Sequence, residues 1–159
     1  MGGSVMNEKK SVKIIDIICG LTALISIAAL FVPFARDISV SEPIEILSLS
    51  VFQFGLSSAN GKLLGNNNTV LGIIALVILG IAAVLMLMWA IRSFIHHEKA
   101  GKSGILATIV NTIVTVIVVF FLSHCREFTA GLAVLVVIIG IAGIVLSIIQ
   151  IRSRKGKKQ

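Results

Sequence analysis

Charge is scarce in this chain, and acidic charge scarcest: seven Asp and Glu stand among 159 residues, with no tyrosine and two prolines. Only Asp16 falls inside a long apolar run, so the runs hold no paired carboxylates for acid–base work. Cysteine is limited to Cys19 and Cys125, too few and too far apart for a disulfide framework or a zinc site. There is no C-x-x-C, no phosphate loop and no H-E-x-x-H, which removes the usual sequence signatures of thiol redox, nucleotide and zinc-protease chemistry. The pattern points to no enzyme and to no cofactor.

Apolar sequence is what the chain has in abundance: 57% of its residues are hydrophobic, 13% are charged, and the mean hydropathy is +1.06. Soluble domains have about 45–50% apolar and about 25% charged residues. Four runs, Ile14 to Phe34, Val70 to Ile91, Gly104 to Ser123 and Ala130 to Ile151, reach the roughly 20 residues that a membrane-spanning helix needs. The first exceeds the h-region of a signal peptide and ends at Pro33-Phe34 without a small-residue cleavage site, so it reads as a retained helix. The leading "MGGS" reads as a start-site extension, and Met6 breaks the myristoylation pattern. The expected fold is an all-α four-helix transmembrane bundle, a single integral membrane domain over 1–159, with a β-hairpin-like outer loop at 35–69 and a basic tail at 152–159.

Basic residues set the expected orientation. Eleven of the fourteen Lys and Arg fall on the side shared by both termini and the 92–103 turn; only Arg36, Lys62 and Arg126 fall on the other. The positive-inside rule then places both termini in the cytoplasm of a plasma membrane. Trp89, at the cytoplasmic end of the second run, is expected as an interfacial anchor. The net charge of +7 serves topology and anionic headgroups; no aromatic interleaving or binding fold points to nucleic acid.

The loop at 35–69 is rich in β-branched and aromatic residues in its first half. Two strands are expected, Ile38 to Ser41 and Ile44 to Phe54, with a turn at Glu42-Pro43. Phe52 and Phe54 would share one strand face and are the candidate partner surface. "NNT" at Asn67 to Thr69 matches the glycosylation pattern but abuts the second run, so it reads as polar loop sequence. A short tail, a long first loop with strands and short later loops resemble the claudin-like tetraspan architecture. The claudin loop signature of a Gly-Leu-Trp element and two cysteines is missing, so that resemblance implies no barrier or pore function. "VFQFG" at Val51 to Gly55 is more similar to small four-span membrane proteins of Gram-positive bacteria, which implies a bacterial setting and no activity or site residues. The bias toward Ile, Lys and Asn without tyrosine also suits a bacterial source.

Several polar groups invite a functional reading. Asp16 lies about one turn inside the first run, where a proton or cation site is one alternative; the other is snorkelling to the boundary with Lys13 at i−3 as partner. The depth at which small multidrug transporters carry a glutamate holds Thr22, Leu24 and Ile25 here, and the two membrane-level aspartates of a lipoprotein signal peptidase are likewise missing, with only Asp37 near the outer face. His96-His97-Glu98 reads as a loop, because adjacent helical side chains point about 100° apart. His124 and Cys125 have no acid or oxyanion framework beside them.

"ILATIVNTIVTVIVVFF", Ile105 to Phe121, carries Thr108, Asn111, Thr112 and Thr115 within an arc of roughly 100°. Thr22, Ser26, Gly80, Gly140, Gly143 and Ser147 fall at matching depths. Together they are expected to form a helix-packing seam in which small residues permit close approach and polar groups bond across helices. A polar cavity and a self-association face are the alternatives. The leading functional expectation is a non-catalytic structural or partner-binding subunit, in contact with membrane lipids and with a membrane or envelope protein or a second copy. A small oligomeric channel or transporter comes next, then an immunity or stress-type membrane protein.

Overall fold

The computed structural model describes residues 2–38, 46–60, 62, 69–125 and 127–155, with side chains described from residue 12 onward and those of Thr69 and Leu71 excepted. Helices dominate it because four runs of the sequence are continuously apolar. They are α1 (Gly2–Ala29), α3 (Thr69–Phe94), α4 (Ala100–Leu122) and α5 (Ala130–Lys155). Within them, Val12–Ala29, Gly72–Phe94, Ala100–Leu122 and Ala130–Lys155 are long and apolar enough to cross a membrane. Each packs on two of the others, α1 on α3 and α5, and α4 on α3 and α5, so the four close into a ring.

The first apolar run does not stay helical to its end. Leu30, Phe31 and Val32 donate to carbonyls three residues back, tightening the last turn, and Pro33 then forces its predecessor out of the helical region. The chain continues as β1 (Ala35–Ile38), which pairs antiparallel with β2 (Ile46–Leu49) in the register Ala35↔Leu49 to Ile38↔Ile46. A third strand, β3 (Glu127–Phe128), comes from the α4–α5 turn and pairs with the other edge of β1. The sheet therefore has the order β2-β1-β3, and it is a three-stranded cap rather than a hairpin confined to one loop. The expected turn at Glu42-Pro43, strand residues 39–41 and 44–45, and Asn67 and Asn68 of the "NNT" lie outside the described residues.

The expected second strand stops at Leu49. Val51–Ala59 forms a helix, α2, entered through a reciprocal capping box: the Gln53 N–H donates to Ser50 Oγ and the Ser50 N–H to Gln53 Oε1. Ser50-x-x-Gln53 is a helix-start signature, and it outweighs the β-propensity of Val51, Phe52 and Phe54. The turn of helix carries Phe54 inward. Phe54 is buried, stacked on Phe121 with centroids 6.0 Å apart, and so belongs to the core rather than to a free partner surface. Phe52 stays 37% exposed, against Phe31 at 5.0 Å.

Two apolar clusters fill the ring. At the sheet end, Leu30, Phe34, Leu49, Val51, Phe54 and Leu79 pack with Val114, Val118 and Leu122. At the opposite, basic end, Cys19, Ala23, Met86, Trp89, Ala90 and Ala107 pack together. Trp89 is fully buried; it points to the interior and not to an interfacial belt. Because the cap directs α2 into the sheet-end cluster, Ser50→Ala is expected to cost about 1 kcal/mol, read as a lower unfolding midpoint in mild detergent with the helical signal of the native state retained.

Candidate functional site

Helical periodicity brings a polar cluster together at the basic end. On α1, Asp16, Cys19 and Ala23 share the inward face. On α3, Trp89 and Ser93 are one turn apart, and on α5 Gln150 and Arg154 are one turn apart, so each helix offers a pair to the same level. Asp16 is fully buried. Its Oδ1 accepts from Gln150 Nε2 at 2.7 Å, and its Oδ2 accepts from Arg154 Nη2 at 2.7 Å and meets His96 Nδ1 at 2.9 Å. Gln150 is itself held: Nε2 also reaches Ser93 Oγ at 3.1 Å, and Oε1 accepts from Trp89 Nε1 at 3.1 Å. Three spanning-length helices are thus joined through one carboxylate. The snorkelling alternative with Lys13 is corrected: Asp16 turns into the bundle while Lys13 is exposed.

The end of α3 is built to serve this contact. The His97 N–H donates to Arg92 O and the His96 N–H to Ser93 O, the paired bonds of a Schellman stop. His96 occupies the left-handed position of that motif at φ 55°, where glycine is usual and a histidine is strained. That conformation throws the imidazole back toward Asp16. Arg154 closes the corner, donating from Nη1 to the His96 carbonyl at 3.2 Å and to the His97 carbonyl. His96 therefore lies in the α3–α4 turn, as expected, and from there is also a member of the cluster.

Chemically the arrangement is an ion pair in which both Asp16 oxygens are met, while Arg154 bonds through Nη1 and Nη2 and its buried Nε has no partner. Arg154 supplies the counter-charge, Gln150 and His96 occupy the remaining acceptor positions, and the Asp16 side chain is 1% exposed against 16% for Arg154. No group of three or more His, Cys, Asp or Glu able to hold a metal occurs among the described residues. Cys19 lies one turn above, its Sγ donating to Leu146 O at 3.7 Å.

The expected seam divides. Between α4 and α5 the backbones come close: a Cβ on Gly140 would lie 2.5 Å from Thr112 Oγ1, and one on Gly143 2.7 Å from Thr108 Cγ2. Gly104, which lies outside the expected seam, leaves room for Trp89 Nε1 and Ser147 Oγ, each 2.5 Å from where its Cβ would be. The hydroxyls bond within their own helices and not across: Thr108 to Gly104 O at 2.7 Å, Ser147 to Gly143 O at 2.8 Å, Ser26 to Thr22 O at 2.8 Å. Thr22 is half-buried and bonds Ile18 O at 2.8 Å. Gly80 is exposed with open space around it and takes no part. Asn111, Thr112 and Thr115 reach the interior, yet Asn111 Oδ1, Thr112 Oγ1 and Thr115 Oγ1 have no partner.

At the other end of α4, His124 Nδ1 lies 3.0 Å from Phe120 O, and Cys125 packs against the sheet-end cluster. No protein-family model, curated protein or solved structure matches the chain.

Removing one member of a buried ion pair leaves a charge without compensation and costs about 3–5 kcal/mol. Arg154→Ala is accordingly expected to lower the unfolding midpoint in detergent steeply. Lys13→Ala, at the partner the sequence suggested, is expected to stay within about 0.5 kcal/mol of the parent. Equal effects of the two substitutions contradict the assignment of Arg154 as the counter-ion.

Proposed function

We propose that the chain is a non-catalytic multi-pass membrane protein that acts as a structural or partner-binding subunit. In this reading it lies in a bacterial plasma membrane with both termini in the cytoplasm. The observation that carries the proposal is the enclosure of Asp16, the one carboxylate in a spanning-length apolar segment, by Arg154, Gln150 and His96. A carboxylate that carries protons or cations needs access to them and a protonation state free to change. One fixed by an arginine and an amide from another helix joins the bundle instead. The basic residues support the orientation, since Arg92, Lys99, Lys102, Arg152, Arg154 and Lys155 gather at the end that holds the Asp16 cluster.

The partner-facing surface in this reading is the flank of the sheet end where Ile46, on edge strand β2, is 79% exposed and Phe52 37% exposed. Large apolar side chains outside the spanning segments favour contact with another envelope or membrane protein. One observation favours the second reading, a small oligomeric channel or transporter: the three oxygens of Asn111, Thr112 and Thr115 without partners inside the bundle. An unpaired polar group in an apolar interior is costly, and a solute or water file would relieve it.

Ion and solute flux in vesicles reconstituted with the purified chain separates the two readings. The structural reading expects flux at the level of empty vesicles, for the parent and for Asn111→Leu alike, and Asn111→Leu close to the parent in stability because Oδ1 loses no protein donor. Saturable flux that Asn111→Leu abolishes gives the protein to the second reading. Photocrosslinking from position 52 to one recurrent membrane-protein partner is the positive outcome expected of the first.

A further inference from the structure

The flank between α2, α3 and α4 contains an apolar groove of about 210 Å³. Phe54 and Ser58 line it from α2, Ala75 and Ile78 from α3, and Val114 and Val118 from α4. Its volume exceeds the roughly 150 Å³ of an apolar cavity that takes up benzene. Exposed Ile74, Ile117 and Phe121 form its rim, so it opens sideways, where a spanning bundle meets lipid.

One polar atom breaks this lining. Ser58 is 1% exposed, and its hydroxyl has no hydrogen-bond partner. Its height in the groove is set by the close contact of α2 with α3: a Cβ on Gly72 would run into the backbone of Ser58 and Ala59. Gly55 meets Leu76 and Leu79, so α2 climbs along α3 toward its start. Ser58 therefore lies at the sheet end of the groove, level with Gly72. The apolar part runs from there past Val118 to Val114, about 12 Å by helical rise from the end of α4 at Leu122. A hydroxyl at the interface with a dry channel below has the polarity order of an ester-linked fatty chain, carbonyl above and methylenes beneath.

We infer that this groove holds one acyl chain of a glycerophospholipid from the leaflet on the sheet side, with the Ser58 hydroxyl donating to its ester carbonyl. The inference rests on the membrane reading above. It gives the unpartnered hydroxyl an acceptor that neither α2 nor α3 supplies. It also gives α2 a role as the wall that turns a shallow helix crevice into a site.

Phosphatidylglycerol carrying a mid-chain diazirine tests it. The full chain is reconstituted in vesicles with this lipid and illuminated, and the adducts are mapped by mass spectrometry. Val114 and Val118 are buried, whereas Val134, Ile141 and Val145 on α5 are open to lipid. Adducts on the two buried valines are expected to exceed those on the α5 residues by about five-fold, a preference of the size a single good contact gives. Ala75→Phe, which fills the groove, is expected to remove that excess and leave the α5 adducts unchanged. In parallel, the wild-type chain is expected to retain the ester lipid about 3- to 10-fold better than its ether analogue through delipidation, the worth of one hydrogen bond. Ser58→Ala, with an unchanged unfolding profile, is expected to retain both equally. Adducts that simply follow exposure, crosslinks from the groove to another protein chain, or equal retention of ester and ether lipids by the wild type each overturn the inference. Absence of adducts on every face would instead overturn the membrane reading on which it rests.

Discussion

A carboxylate placed inside an apolar bundle constrains everything around it. The solvation that Asp16 gives up has to be replaced by fixed donors and an opposite charge, because an isolated ionised group in such surroundings is costly by far more than the net stability of a domain. The replacements come from two other helices and from the turn that ends one of them: Gln150 and Arg154 from α5, Ser93 through Gln150 from α3, His96 from the turn after α3. Gln150 and Arg154 each have a further tie, Gln150 to the Trp89 indole and Arg154 to the His96 and His97 carbonyls. The three helices thereby acquire a definite register. The left-handed backbone at His96 is strain retained because the imidazole contact over-determines it.

The tight approach of α4 to α5 follows from the same arrangement. Trp89 must reach Gln150 across the bundle, and the volume of its indole is accommodated where Gly104 and Gly143 leave the facing helices without side chains. The glycines of the seam therefore do two things, admitting Thr108 and Thr112 on one side and the indole on the other. Their hydroxyl neighbours bond inward to their own helices, so close van der Waals contact, and not hydrogen bonding across the seam, is the physical basis of this interface.

Much of this architecture was legible in the sequence, and the exceptions have physical causes. Four apolar runs mark the helices because length and continuous hydrophobicity need no knowledge of neighbours. The partners of Asp16 were not legible because they stand 80 to 138 residues away, and Lys13 at i−3 offered a local alternative. Arg154 was read with the tail as a topology signal; it is also a counter-ion, and charge counting alone does not separate the two roles. Trp89 at a run's end suggested an interfacial belt, whereas the buried acceptor on Gln150 draws its N–H inward. The helix after Leu49 was signalled by Ser50-x-x-Gln53, but Val51, Phe52 and Phe54 carry a β-propensity that masks it. Gly80 matched the seam in depth and fails in angle: it sits on the outer face of α3. The third strand was hidden because two residues, Glu127 and Phe128, show no alternation to recognise.

The account stands on direct coupling between Asp16 and Arg154. A double-mutant cycle on unfolding in mild detergent, with Asp16→Asn, Arg154→Gln and the pair together, measures it most directly. Residues in contact within one polar network show coupling of about 0.5–3 kcal/mol, and a favourable value above about 1 kcal/mol is expected here, with the double variant less destabilised than the sum of the two single ones. Strict additivity of the two substitutions would contradict the account.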